Sequence, residues 1–382
     1  MTEAAWPDGR LQLQRGGNIM TTPSSVRVRS GRVQGLDLIR GFAILLVLLR
    51  HAWPEIFGSA GVVGVVIFFA LSGFLITGLL ERDIREFGRV RYSRFYLHRF
   101  FRLMPALTFM LLGFALIEGQ WNLLGDRHLV GLSVVVGLTY TMNVPGIDHG
   151  SDALSHLWTL ATEEQFYLLW PIVLAFGMRR AKAGTVTALA VLAALALCAA
   201  SVVVVSPETF KIYSLPTSWV AAMLLGALAK LHENALDRSV VGLRSKTIAC
   251  VGLVALLGLS FTPEAKNWPG TYLLVGPFIA LCTIAVIFEC KRWRNLPSKY
   301  LRPILGLGVI SYAAYLWNYP IAIWLGDRPL NLFQGSASIA LTILAATLSW
   351  YVIELPASKV KRRLENRLGA KRRSPSHRLT VN

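Results

Sequence analysis

Ten stretches of almost uninterrupted apolar residues divide this chain, at about 36–53, 60–80, 103–118, 157–178, 184–206, 214–231, 247–262, 271–290, 303–326 and 334–355. Each comes near the roughly 20 residues that a helix rising 1.5 Å per residue needs to cross a hydrocarbon core. They predict an all-α polytopic membrane protein of about ten transmembrane helices. A further run, HLVGLSVVVGLTY at 128–140, is shorter and suits a re-entrant or interfacial segment. Residues 1–34 are rich in Gly, Ser, Arg and Gln without periodicity, so they read as a disordered basic arm, with no apolar core of a signal peptide. The transmembrane domain is expected over 35–357, and a basic cytoplasmic tail over 358–382.

Composition agrees with the pattern and charge refines it. Of 382 residues, 54% are hydrophobic and only 16% charged, too little polar surface for an ordinary soluble domain. A formal net charge of +18 would suggest nucleic acid in a soluble protein, but here the basic residues gather in loops between apolar runs, so the expected partner is membrane lipid. With the N-terminal arm inside, Arg82, Arg85, Arg89, Arg91, Arg94, Arg99 and Arg102 also fall inside. If 128–140 does not cross, so do Arg179, Arg180 and Lys182, the loop from Arg238 to Lys246, the KRWR at 291 and the KVKRR at 359. Both termini are then cytoplasmic, and the outer loops keep single charges such as Arg127, Lys211, Lys266 and Arg328. Cys198, Cys250, Cys282 and Cys290 lack C-x-x-C spacing, so neither a disulfide framework nor a metal site is expected.

The candidate chemistry lies where the apolar runs are interrupted. The first run holds Arg40, Arg50 and His51, and ionisable groups at membrane depth mark function. Eleven residues make nearly three helical turns, so Arg40 and His51 share a face about 16 Å apart along the axis. That spacing suits an extended anion whose reactive end lies far from its charged end. Arg50, turned about 100° from His51, is expected to pair with Glu55, Glu163 or Glu164, or to snorkel outward. Arg99 and Arg102 face the same way at i, i+3, a guanidinium pair suited to phosphate, and Pro105 is expected to break or kink their helix. Glu163 and Glu164 sit six or seven residues into another apolar run, where a carboxylate needs a cationic partner. One of them suits an imidazole and the other an arginine.

These stretches together resemble the membrane-bound acyltransferase-3 family. Its R-x10-H signature falls on Arg40 and His51 within LDLIRG…RHAW, and its second-span signature is seen in VIFFALSGFLIT around Ser72 and Gly73. The R-x-x-R pair is Arg99 and Arg102 in FYLHRFFRLMP, and HLWTLATEEQFYLLWP resembles the region whose required acid falls on Glu163. SYAAYLWNYP and SWYVIELP also look like family elements, so the likeness covers about 35–357. One position departs from the pattern: Asn318 stands in YLWNYP where a histidine is frequent, and a hydrogen-bonding role is expected of it.

The resemblance implies an enzyme of the bacterial inner membrane that moves an acyl group, acetyl first among them, from acyl-coenzyme A to a carbohydrate hydroxyl. The acceptor would be an exopolysaccharide, a lipopolysaccharide, another glycan or a glycosylated macrolide. On this expectation Arg40, Arg99 and Arg102 bind the polyanionic donor from the cytoplasm. His51 acts as general base or carries the acyl group itself, Glu163 orients His51 or balances its charge, and Glu164 supports. Ser72 either donates to the carbonyl oxygen or, beside Gly73, is a helix-packing contact. Two other classes remain open on the residues alone: a transporter with a charged pathway, and a catalytically silent membrane scaffold.

Overall fold

The computed structural model describes residues 33–371, apart from 240, 241, 265, 327 and 328. The expected arm up to residue 32, the tail beyond 371 and Arg328 lie outside the described residues. Fourteen α-helices are seen, with no strand among the described residues. In chain order they are α1 (Gln34–Ala52), α2 (Ala60–Phe87), α3 (Tyr92–Trp121), α4 (Val130–Thr139), α5 (Trp158–Arg179), α6 (Ala183–Val205) and α7 (Pro216–Leu231). Then follow α8 (Glu233–Ser239), α9 (Leu243–Ser260), α10 (Gly276–Cys290), α11 (Arg302–Val309), α12 (Ser311–Trp324), α13 (Leu332–Ser349) and α14 (Leu355–Lys371).

All ten apolar runs are helical, and 128–140 forms the separate ten-residue α4, too short to cross. Five helical stretches are long and apolar enough to span a membrane: 60–87, 92–121, 183–205, 271–290 and 332–364. A sixth is reached if α8 and α9 count as one bent span. The other runs fall short for different reasons: Asp37, Arg40 and Arg50 lie in α1, Glu163 and Glu164 in α5, the run at 303–326 is divided at Ile310 into pieces of 8 and 14 residues, and α7 has 16 residues. Pro105 does not end α3, which continues through it.

Burial separates the centre of the bundle from its lipid face. The most apolar stretch of α2 is 67% buried, against 22% for α6 and for 332–364. Apolar side chains such as Val204 on α6 and Leu116 on α3 point outward with no protein over them, as a lipid-facing surface requires. α2 packs on α1, α5, α7 and α10, and α1 in turn on α11 and α12.

Glycines set the closest of these approaches. A Cβ on Gly73 would lie 1.9 Å from the Met223 carbonyl oxygen, and one on Gly226 2.0 Å from that of Ala70, so α2 and α7 touch backbone to backbone. Gly41 and Gly308 join α1 to α11 in the same reciprocal way, at 1.8 Å from the Ile304 and Asp37 carbonyl oxygens. Without a hydrophobic driving force between helices in lipid, such small-residue contacts let dispersion and polar interactions hold the bundle. Gly73→Leu or Gly226→Leu is expected to force α2 and α7 apart and to destabilise the protein by about 3 kcal/mol, the upper part of the overpacking range. Thermal unfolding in mild detergent, read beside wild type, checks this.

Candidate active site

Five of the residues singled out in the sequence line one cavity of about 120 Å³: Arg40 from α1, Ser72 from α2, Arg99 and Arg102 from α3, and Glu163 from α5. Their positions follow from helix geometry. Arg99 and Arg102 are one turn apart on one face of α3, and Ser72 lies beside Gly73, where α2 is pressed against α7. The three arginines differ in how they are held. Arg99 is buried and committed, its Nη2 and Nε donating to Glu164 Oε1 at 2.9 and 3.3 Å and its guanidinium 3.3 Å over the ring of Tyr167. Arg40 donates from Nη1 to Asp37 Oδ1 at 2.7 Å. Arg102 makes no ion pair among the described residues, although it lines the cavity beside the other two. Glu354 lies within electrostatic reach of Arg102, with a buried Oε1 that has no hydrogen-bond partner among the described residues.

Ser72 is already engaged, its hydroxyl hydrogen-bonded to that of Tyr167. The hydroxyl lines the cavity while its neighbour Gly73 makes the packing contact, so the two uses considered for this pair of residues are divided between them.

His51 lines a second cavity of about 330 Å³, together with Arg50, His156, Tyr213, Glu264 and Tyr319. Its Nδ1 lies 2.5 Å from Asn318 Oδ1, and Asn318 Nδ2 donates to Thr342 Oγ1 at 3.3 Å. The second bond turns the amide so that its oxygen faces the imidazole. A carbonyl oxygen only accepts, so in this contact Nδ1 is the donor. Tyr319 meets the His51 ring edge-on at 4.9 Å between centroids, and the same tyrosine lies tilted 5.4 Å from the ring of His156. His156 itself is buried, with Nε2 3.1 Å from the Leu316 carbonyl oxygen.

Two expectations of partnership change here. Nδ1 of His51 is held by Asn318, while Glu163 lines the arginine cavity. Arg50 pairs with none of Glu55, Glu163 and Glu164; its Nη2 donates to Glu264 Oε2 at 2.7 Å. The 100° turn away from His51 aims Arg50 at the segment after α9, and nothing in the spacing along the chain announces that approach. Glu264, His156, Tyr315 and the placement of Glu354 were missed for the same reason: each gains its significance from a neighbour far away in sequence.

The order of lining residues along each helix shows the two cavities stacked end to end. On α1, Arg40 belongs to the first and His51 to the second; on α2, Ser72 to the first and Gly61 to the second; on α12, Tyr312 to the first and Tyr319 to the second. An all-helical bundle with a lipid-facing surface and such charged cavities inside is a multi-pass membrane protein with an internal polar site. The profile of the acyltransferase-3 family, described as an acyltransferase domain, matches residues 33–354, and the chain belongs to that family.

Relatives agree. O-acetyltransferase OatA of Staphylococcus aureus (strain NCTC 8325 / PS 47) is 28% identical over 357 residues, covering 85% of this chain and 57% of that protein. The putative peptidoglycan O-acetyltransferase YrhL of Bacillus subtilis (strain 168) is 31% identical over 358 residues, covering 85% and 54%. This chain therefore spans little more than half the length of the curated relatives it matches. No solved structure matches it.

The commitment of Arg99 to Glu164 makes a prediction about stability. Arg99→Ala leaves a largely buried carboxylate without its partner and is expected to destabilise the protein by about 3 kcal/mol. Removing Glu164 as well is expected to recover part of that loss, and Arg102→Ala, which breaks no ion pair, to cost less than a third as much. A double-mutant cycle by thermal unfolding in detergent measures all three.

Proposed function

We propose that this protein is a membrane O-acyltransferase that moves an acyl group, acetyl first among them, from acyl-coenzyme A to a sugar hydroxyl of a cell-envelope glycan. The observation that carries the reading is the stacking of an arginine cavity and a histidine cavity along α1, with Arg40 in one and His51 in the other. A donor with a polyanionic head and a long thin arm fits that division. Its phosphates meet Arg102, which has no ion pair of its own, beside Arg40. The pantetheine arm runs along the apolar wall that α2 supplies. Glu163, on the donor side, partly neutralises the guanidiniums while the site is empty.

At the far end Nε2 of His51 takes the proton of the acceptor hydroxyl as its oxygen attacks the thioester carbonyl carbon. The carbon–sulfur bond breaks, and the departing thiolate recovers that proton from the imidazolium, leaving coenzyme A and the sugar ester. Asn318 accepts from Nδ1 and orients the ring. The names of the relatives, O-acetyltransferases and one putative peptidoglycan O-acetyltransferase, support acetyl as the group and a carbohydrate as the acceptor. On this reading the ten helical runs are ten crossings of the bacterial inner membrane with both termini in the cytoplasm. The arginine-rich connection from Arg82 to Arg102 supports placing the donor side there.

Membranes carrying the protein, given radiolabelled acetyl-coenzyme A, are expected to transfer label into their own glycan. His51→Ala is expected to lower kcat about 10³-fold, within the usual range for a lost general base. Arg102→Ala is expected to raise the KM for the donor about tenfold with a smaller effect on kcat, the signature of lost ground-state binding. Equal transfer by all three overturns the roles assigned to these residues, and coenzyme A release without a labelled glycan overturns the acceptor.

A further inference from the structure

Two cavities in series need a boundary, and the structure is specific about it. Among the described residues, Val65 of α2 and Tyr315 of α12 alone line both. On α2 Val65 stands one turn from Gly61 on the histidine side and two turns from Ser72 on the arginine side. On α12 Tyr315 stands between Tyr312 and Tyr319 in the same sense. They are the two side chains that the arginine cavity and the histidine cavity have in common.

The boundary is also stiff. The Tyr315 hydroxyl donates to the His156 carbonyl oxygen at 2.9 Å and accepts from Thr159 Oγ1 at 2.7 Å, which holds the ring from its far end. Both Tyr315 and Val65 are buried, at 8% exposure each. Gly64, next to Val65, is pressed on α1 so closely that a Cβ there would lie 2.5 Å from the Ala43 carbonyl oxygen. The α2 backbone therefore has no room to move toward α1 at this point, and a β-branched valine in a helix keeps essentially one rotamer.

We infer that Val65 and Tyr315 form the partition that selects the acyl group of the donor. This rests on the function proposed above, and adds what that reading leaves open, the cross-section and charge of the group transferred. A thin neutral acyl group follows the pantetheine arm through the partition. A group branched next to the carbonyl meets Val65 on one side and a pinned ring on the other. A carboxylated group such as succinyl has to be desolvated between a valine and an aromatic face, which disfavours it further. Of the two residues Val65 is the one that evolution or design can vary, because Tyr315 is tied into the backbone carbonyl of His156.

The test compares coenzyme A released from acetyl-coenzyme A and from isobutyryl-coenzyme A by membranes carrying the protein and their own glycan, with membranes lacking the protein as the blank. The readout is the isobutyryl to acetyl rate ratio. Val65→Ala, which removes two methyl groups, is expected to raise that ratio about tenfold, as the removal of one or two methyls from an apolar pocket does in other enzymes. Val65→Ile, which adds one, is expected to lower it and serves as the second arm should the alanine variant not fold. A merely destabilised protein slows both donors alike and leaves the ratio where it was. A ratio within threefold of wild type in Val65→Ala, or a shift in the same direction in both variants, overturns the partition while the acyltransferase stands. No release above the blank by wild type with either donor overturns the acyltransferase reading and the partition with it.

Discussion

An ionised group in the middle of an apolar bundle loses its hydration, and this protein contains several in or beside its centre. The penalty is several kcal/mol for each ion, so every such group must be paired, be hydrated through a cavity, or wait for a ligand. The first two solutions occur side by side around one cavity. Arg99 takes Glu164 and the face of Tyr167; Arg40 takes Asp37. Arg102 lines the cavity without an ion pair of its own. Two of the helices that carry such charges, α1 and α5, fall short as membrane-spanning segments by composition, whereas α3 carries Arg99 and Arg102 near its start and remains long and apolar enough to span.

Packing converts those charges into a site. Gly73 and Gly226 bring α2 against α7, and Gly41 and Gly308 bring α1 against α11, with no side chain between the backbones. With α2 and α1 fixed in this way, their side chains at intervals of a turn or two are distributed in order along two stacked spaces, and α12 closes both. The same α12 supplies Asn318 to His51 and Tyr315 to the boundary, so the imidazole and that boundary are referenced to one helix. Asn318, the position that departs from the family's histidine pattern, makes the shortest contact to the imidazole described here. An amide there offers the imidazole a hydrogen-bond partner without adding a second titrating group.

Much of this was legible in the sequence, and the limits are instructive. All ten apolar runs are helical, and the short run at 128–140 is a helix too short to cross, because apolar length is a local property that desolvation of the backbone turns directly into helix in a membrane. Arg40 and Glu163 were conspicuous as charges within apolar runs, Arg99 and Arg102 as a guanidinium pair one turn apart in the arginine-rich connection, and Ser72 through the family signature, and all five share a cavity. Arg50 and Glu264 show the opposite case. Neither spacing nor composition says that a glutamate after α9 folds back onto α1, and only the assembled bundle brings them to 2.7 Å.

What the amino-acid sequence determined by itself is therefore the helical membrane class, the family, and the short list of charged and polar groups that a lipid environment would not tolerate without purpose. Periodicity, hydropathy and intramembrane charge are one-dimensional signals, and a bilayer makes them unusually decisive. The tertiary structure alone decided the pairings: Glu164 rather than Glu163 on Arg99, Asn318 rather than a carboxylate on His51, Glu264 on Arg50, and Val65 facing both cavities with Tyr315. Each depends on which faces of which helices meet and at what height. That is settled by glycine contacts and side-chain shape distributed over the whole bundle, where no local pattern of residues can express it.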